Sequence, residues 1–397
     1  MYSGSIGCRG AHLIAIFAKE HDETRYSPPE SGTQVEIKDA WGHWERMSRK
    51  TTNMLKGALS AMYYTGMHRM MAPLTQGVGM VFMLHHVRPE GAEDFEPNRI
   101  LKITPDFLNT VINQVQEAGI DIVSLDELQW RMTEGDFDRP FATFTFDDGY
   151  RDNAEFAHPI FKKHNLPFSI YVPSDFPDGK GELWWLALEK VLRDTDQIRV
   201  NMGGHSQQFN CSTPAEKDRA FHNIYWWLRG QQEVDARRWV RELCRGIGFD
   251  PAVIGDELLM GWDEIRELNK DPLVTIGAHT KGHYALSKLT LSEARMEVEQ
   301  SINRLEKELG ERPQHFSYPY GCERTAGPRD FDLLKELGVK TAVTTRKGVL
   351  YSEHSNHLTA LPRLSLNGDY QNSRYTSVLM TGAPFALMNG FRHLNVA

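Results

Sequence analysis

With 397 residues, 40% of them hydrophobic and 25% charged, the chain has the balance of an ordinary folded protein with a sizeable core, which excludes a fibrous or largely disordered one. A formal net charge of -8 argues against a nucleic-acid partner, because phosphate neutralisation gathers Lys and Arg on one face. Cys8, Cys211, Cys244 and Cys322 are scattered without a CxxC pair, so neither a zinc ribbon nor a dense disulfide framework is indicated and a reducing compartment fits.

No run reaches the roughly 18 apolar residues of a spanning helix, so no transmembrane segment is expected. The nearest thing to a secretion signal, Ala11 to Ala18, is short, contains His12 and runs into Lys19, Glu20, His21 and Asp22, and the chain is read as cytoplasmic. Residues 1–50 lack sustained periodicity and carry Pro28, Pro29 and Gly32; they read as a flexible N-terminal extension. Over 51–75, Met54, Leu55, Leu59, Met62, Tyr63, Met67 and Met70 recur at helical spacing. That pattern predicts an amphipathic helix whose apolar face serves the core or a homo-oligomer contact rather than a membrane.

From residue 76 to about 375 short apolar runs alternate with helical patterns. The runs are Met80 to Leu84, Ile120 to Val123, Phe141 to Phe146, Phe168 to Val172, Leu273 to Ala278, His315 to Tyr318, Lys340 to Thr344 and Leu361 to Leu366. Helical patterns lie between them at 105–118, 126–133, 153–164, 292–309 and 328–337. Strands alternating with helices pair in parallel, so the fold class is α/β: a distorted (β/α) barrel of about seven to eight parallel strands. The stretch 178–260 breaks the rhythm without clear strand runs and reads as a helical insertion, with helices at 183–193, 214–229 and 234–246. Residues 376–397 read as a C-terminal tail.

A barrel places its chemistry just past the C-terminal ends of its strands, and three polar clusters sit there. Phe144-Thr145-Phe146-Asp147-Asp148-Gly149 ends a strand in adjacent carboxylates; a bound metal would separate their roles, one ligating and the other free as a base. Alone, the motif is equally a turn in which an Asp caps the next helix. Ile276-Gly277-Ala278-His279-Thr280-Lys281-Gly282-His283 also follows an apolar run, and histidines four apart converge on one ion if the turn is helical. Two His and one Asp leave positions open for water and substrate. In Phe316-Ser317-Tyr318-Pro319-Tyr320-Gly321, Pro fixes and Gly frees a loop able to aim the Tyr320 N–H at a developing oxyanion.

In this order and spacing, TFDDG, HTxxH and the PYG loop resemble the polysaccharide deacetylase family with the NodB homology domain (carbohydrate esterase family 4), over roughly Gly79 to Asp369 with the insertion skipped. The resemblance implies a barrel holding a divalent metal, zinc first, with cobalt or nickel also suited to the donors. By position it implies Asp147 as catalytic base, Asp148, His279 and His283 as metal ligands, and Tyr320 as oxyanion donor. The pattern departs from the family at Ser317, where many members place an Arg, and at Leu361-Pro362-Arg363-Leu364, where many supply an acid His. In members similar to a permuted version the acid comes from the first strand, here Leu84-His85-His86-Val87. His86 is therefore assigned as general acid, with His85 as alternate, and Arg363 as the residue that steadies Asp147.

Trp184 and Trp185 after the Pro177 to Gly181 loop, Asp175 past a strand end, and Pro319 and Tyr320 are the expected substrate contacts. The expected activity is metal-dependent removal of N-acetyl groups from an amino-sugar oligo- or polysaccharide. The alternatives are an O-acetyl esterase on a glycan, an amidase or deformylase on a non-sugar substrate and, in another class, an inactive sugar-binding barrel.

Overall fold

The computed structural model describes residues 52–91 and 93–396; the extension expected over 1–50 lies outside the described residues. The strands, in chain order, are β1 (Gly79–Leu84), β2 (His86–Val87), β3 (Lys102–Ile103), β4 (Asp121–Ile122), β5 (Phe141–Phe146), β6 (Phe168–Val172), β7 (Gln197–Met202), β8 (His205–Asn210), β9 (Val274–Ala278), β10 (His315–Ser317), β11 (Thr341–Lys347) and β12 (Leu361–Ser365). Seven of them close a parallel barrel in the order β5-β1-β12-β11-β10-β9-β6, and β4 adds an eighth strand on the outside of β5. The α/β barrel expected from the alternating runs is thus the observed fold.

The strand runs are legible because they are buried on both faces: β5 and β6 are buried at every position, as parallel strands covered by helices must be. The helices between them carry their own start signals. Pro105–Glu117 begins at Thr104, whose hydroxyl accepts the Phe107 N–H, and buries Phe107, Leu108, Val111, Ile112 and Val115. Leu291–Leu309 opens with a Thr290/Glu293 capping box. One strand needs a glycine for close approach: a Cβ on Gly277 of β9 would lie 2.5 Å from the Tyr171 ring and 2.9 Å from the His315 carbonyl oxygen.

Register decides what meets at the C-terminal end of the barrel. Leu84 of β1 pairs with Phe146 of β5, Val172 of β6 with Ala278 of β9, and Phe316 of β10 with Ala278. The residues that follow β1, β5, β9 and β10 therefore leave the barrel at one level.

The stretch 178–260 is not wholly helical. Helices Trp184–Arg193, Pro214–Arg229, Glu233–Gly246 and Ala252–Leu258 are joined there by an antiparallel hairpin of β7 and β8. β8 reads His-Ser-Gln-Gln-Phe-Asn and is mostly exposed, so it gives no apolar run; the available signal was Gly203-Gly204, both at positive φ, a preferred hairpin turn. Trp184, Trp185, Leu188, Ile224, Trp227 and Val240 belong to one buried cluster in this region.

Gly77–Ser373 form one compact unit; residues 52–76 with 374–395 belong to a second. In the second, the single helix expected over 51–75 is two, 52–64 and Met67–Thr75, broken where Gly66 takes a left-handed φ of 70°. The C-terminal stretch is not a tail: Ala383–Met388 is helical and packs against Met67–Thr75. Among the described residues no helix is long and apolar enough to cross a membrane.

Candidate metal and active site

Asp148, His279 and His283 are all buried, and each offers a donor atom within 4.8 Å of the others'. The His279 and His283 Nε2 atoms stand 3.5 and 3.2 Å from Asp148 Oδ1. His279 Nδ1 lies 2.6 Å from the Ser317 carbonyl; a carbonyl only accepts, so the proton is on Nδ1 and the Nε2 lone pair faces Asp148. Asp148 Oδ1 is buried without a well-aligned donor among the described residues. A carboxylate oxygen short of donors, beside the His279 lone pair and the buried His283 ring whose Nδ1 also lacks a partner among the described residues, fits a divalent cation. Burial pushes the Asp148 carboxyl up, but His283 and His279 outweigh it and hold it well below the usual range; burial lowers His283.

The convergence does not come from a helical turn. Residues 279–283 are a loop in which Thr280 and His283 take φ of 59° and 57°, and Asp148 sits at 75°. With Tyr320 at 61°, four of the six described non-glycine residues at positive φ lie in these motifs. Such strain persists only where the surroundings over-determine it, and it gathers at functional sites. Glu297, from the helix Leu291–Leu309, accepts the Lys281 and Gly282 N–H groups at 3.1 and 2.8 Å. Arg237, from the insertion, donates to the Gly282 and His283 carbonyls at 3.1 and 3.0 Å and pairs with Glu233.

Asp147 continues β5 and donates its N–H to the Leu84 carbonyl. Its carboxylate takes a two-pronged contact from the buried Arg363, Nη1 to Oδ1 at 2.9 Å and Nη2 to Oδ2 at 2.7 Å. The same guanidinium reaches Thr145 Oγ1 at 3.2 Å and Ser317 Oγ at 3.1 Å. Ser317 is small enough to admit the arginine arriving from β12. Burial pushes the Asp147 carboxyl up, yet Arg363 first, then His279 and His85, bring it below the ordinary value.

The histidine that joins Asp147 is His85, not His86. Successive side chains in an extended segment point to opposite faces, so only one of the pair can face the site. His85 Nε2 is 3.9 Å from Asp147 Oδ2. His86 is turned away: its Nδ1 meets Asp152 Oδ2 at 2.6 Å and its ring stacks on Tyr150 with centroids 3.6 Å apart. Burial lowers the His85 pKa, while Asp147 and Asp148 oppose that. Asn153 donates to the His85 carbonyl at 2.7 Å, and Asp152 accepts the Val87 N–H. Both follow the DDG motif closely in sequence, the one signal that could have marked them.

In the third loop the Gly321 N–H donates to the Pro319 carbonyl at 2.7 Å around Tyr320, a tight turn. The Tyr320 N–H makes no hydrogen bond among the described residues. The Tyr320 ring sits 4.9 Å from His283, and its hydroxyl accepts from Trp184 Nε1 at 2.9 Å. Trp185 lies 5.2 Å from the His283 ring. Both tryptophans, expected as substrate contacts, are 5% exposed or less, so they pack behind the loops and offer little surface to a sugar. Asp175 N–H donates to the Lys281 carbonyl, and burial raises its carboxyl; it touches the second motif's loop. Arg229, also from the insertion, lies over the Tyr320 ring at 3.7 Å.

The chain is similar in structure to a deacetylase PplD of Streptococcus pyogenes (16% identity, 73% of this chain and 92% of that one, TM-score 0.49). It is also similar to IcaB of Ammonifex degensii (16% identity, 76% and 97%, TM-score 0.47) and to a de-N-acetylase of Aggregatibacter actinomycetemcomitans (15% identity, 73% and 95%, TM-score 0.45). No curated protein matches it in sequence. The family described as polysaccharide deacetylase matches residues 134–342, a stretch holding Asp147, Asp148, His279, His283 and Tyr320 but neither His85 nor Arg363. Since that stretch is more than half of the sequence, the chain belongs to the polysaccharide deacetylase family.

Proposed function

We propose that the chain is a metal-dependent hydrolase that removes N-acetyl groups from an amino-sugar oligo- or polysaccharide. Asp148, His279 and His283 would hold a divalent cation, zinc first by donor type, with cobalt or nickel as substitutes. Such an ion supplies polarisation of the acyl carbonyl and acidification of water. Asp147, kept ionised by Arg363, takes the proton from the attacking water as general base. The unpaired Tyr320 N–H receives the oxyanion that develops on the carbonyl oxygen.

His85, beside the base, then passes on to the departing nitrogen the proton that Asp147 has taken from the water. An amine cannot leave as an anion, whereas an ester's alkoxide needs less help, so an imidazole 3.9 Å from the base is the observation that carries the amide reading.

The test is acetate release from chitin oligomers, poly-N-acetylglucosamine, peptidoglycan fragments and acetylated xylan, each with zinc and with chelator. Release from an N-acetylated glycan, lost on chelation and restored by zinc, is expected. Release from xylan alone would turn the reading into an esterase. No release from any of them, by protein that also binds no metal, would leave a sugar-binding barrel.

A further inference from the structure

Around the Tyr320 loop the insertion brings more positive charge than it neutralises, in a chain whose net charge is -8. Arg229, Arg237 and Arg241 come from its helices, and Lys288 follows the 279–283 loop. The carboxylates paired within this group are Glu182 and Glu233, and both are shared. Glu233 accepts from Arg237 at 2.5 Å and lies 3.2 Å from the Lys288 ammonium. Glu182 pairs with Arg241 and lies 3.8 Å from Arg237 Nε. No carboxylate among the described residues pairs with Arg229. Burial lowers the Lys288 ammonium, and Arg229 and Arg237 add to that against the pull of Glu233, so the surplus charge is felt by its neighbours.

Arg229 ends the helix Pro214–Arg229 and is partly exposed. Its one hydrogen bond among the described residues runs from Nη1 to the Tyr225 hydroxyl at 3.3 Å, and its Nε is buried without a partner. Its guanidinium carbon lies 3.7 Å from the centre of the Tyr320 ring. A helix C-terminus and an aromatic face both favour a cation, which explains why the side chain rests there. Neither takes up the remaining N–H groups of a guanidinium that has five, and donors left in a partly desolvated place are costly until an acceptor arrives. The Tyr320 ring alone separates this cation from His283, whose ring centre is 4.9 Å from that of Tyr320. An acceptor held by Arg229 is thus close enough to the candidate metal site to belong to the same substrate molecule.

We propose that Arg229 binds an anionic substituent of the substrate, a carboxylate or a phosphate on the sugar that is deacetylated or on its neighbour. The inference rests on the deacetylase reading of the site and narrows the substrate to an acidic N-acetylated glycan. A sugar hydroxyl would satisfy one N–H and leave the surplus charge unmatched, whereas an anion meets the charge and the planar fork together.

The experiment titrates zinc-supplemented full-length protein, by calorimetry, with chitotetraose, with a hyaluronan tetrasaccharide that alternates N-acetylglucosamine with glucuronate, and with N-acetylglucosamine 1-phosphate. At least one acidic probe should bind about 10–100-fold more tightly than chitotetraose, the factor expected of a charge-assisted hydrogen bond. A preference for the hyaluronan probe assigns the substituent as a carboxylate, and one for the phosphate probe as a phosphate. Arg229→Gln should bring the ratio of acidic to neutral affinity down to about one, and Arg229→Lys should restore part of it. Wild-type protein without the preference overturns the proposal. So does a preference that survives in Arg229→Gln, which would put the anion on the zinc ion, or a loss in that variant that is equal for all three probes, which would make Arg229 a support for the Tyr320 loop. Acetate release is measured in parallel. The preference without release sustains the anion site and sinks the hydrolase reading, while release without the preference does the reverse.

Discussion

Asp147 and Asp148 are neighbours, both buried, and each is kept ionised by a different partner. For Asp147 that partner is Arg363, and the consequence is a pH dependence whose sign follows from the contact. The folded carboxyl titrates below its unfolded value, so the pairing stabilises fully above the ordinary carboxylate pKa of about 4 and is lost as pH falls through the folded value. In Arg363→Met the largest opposing influence on Asp147 is gone, leaving burial, which raises the carboxyl, against the lesser pull of His279 and His85. The acid limb of the activity profile should then move up by at least about one pH unit, and a charge left unpaired in the interior should cost about 3–5 kcal/mol in denaturant unfolding. An unmoved limb would take Arg363 out of the base's support. The paired histidines separate in the same way. His85→Ala should lower turnover on an N-acetyl substrate by about 10²–10⁴-fold. His86→Ala should keep turnover and cost about 1–3 kcal/mol, since Asp152 loses its buried partner; the reverse outcome would restore His86 as the acid. The two-histidine sequence showed that an imidazole was present at the end of β1, but which one faces inward depends on a one-residue phase that only pairing with β5 fixes.

At the level of elements, the barrel strands were readable because burial on both faces leaves unbroken apolar runs, as in Phe141–Phe146. The hairpin of β7 and β8 was not, because His205–Asn210 is a polar, mostly exposed strand that resembles a loop in composition. Site loops were readable as residues and not as shapes. The HTxxH spacing suggested a helical turn, while the structure uses left-handed backbone at Thr280 and His283, a choice that no propensity signals and that neighbours impose. Arg237 is one such neighbour, and it comes from an insertion where nothing in the sequence tied it to the 279–283 loop. Its hydrogen bonds to Gly282 and His283 predict that Arg237→Met lets the loop relax and weakens zinc binding by about 10–100-fold, the usual range for groups that orient a ligand from behind. Glu233 keeps Lys288 as a partner, so the substitution does not strand a charge. Competition against a chromophoric chelator measures this, and unchanged affinity would make Arg237 a packing residue only.

For the whole molecule, the family match stops short of both ends of the site. Residues 134–342 supply Asp147, Asp148, His279, His283 and the Tyr320 loop, but His85 follows β1 and Arg363 belongs to β12, outside the match. β1 pairs with both β5 and β12, so these two residues reach Asp147 only when the barrel closes. The three candidate ligands likewise come from the ends of β5 and β9, separated by β6 and by the whole insertion. An ion held by Asp148, His279 and His283 therefore binds the closed barrel and has little hold on the unfolded chain, which makes affinity and stability one quantity. Zinc at a hundredfold excess over its Kd should add about 2.7 kcal/mol and raise the melting temperature by several degrees. Protons compete for the same lone pairs. Burial favours neutral His283, so the site accepts the ion near neutral pH, and the zinc-dependent rise should shrink toward zero as acid protonates the imidazoles. Scanning calorimetry with and without zinc across that range checks both parts. His279→Ala should abolish the rise at every pH, and a rise that survives in that variant would mean that zinc binds elsewhere on the chain.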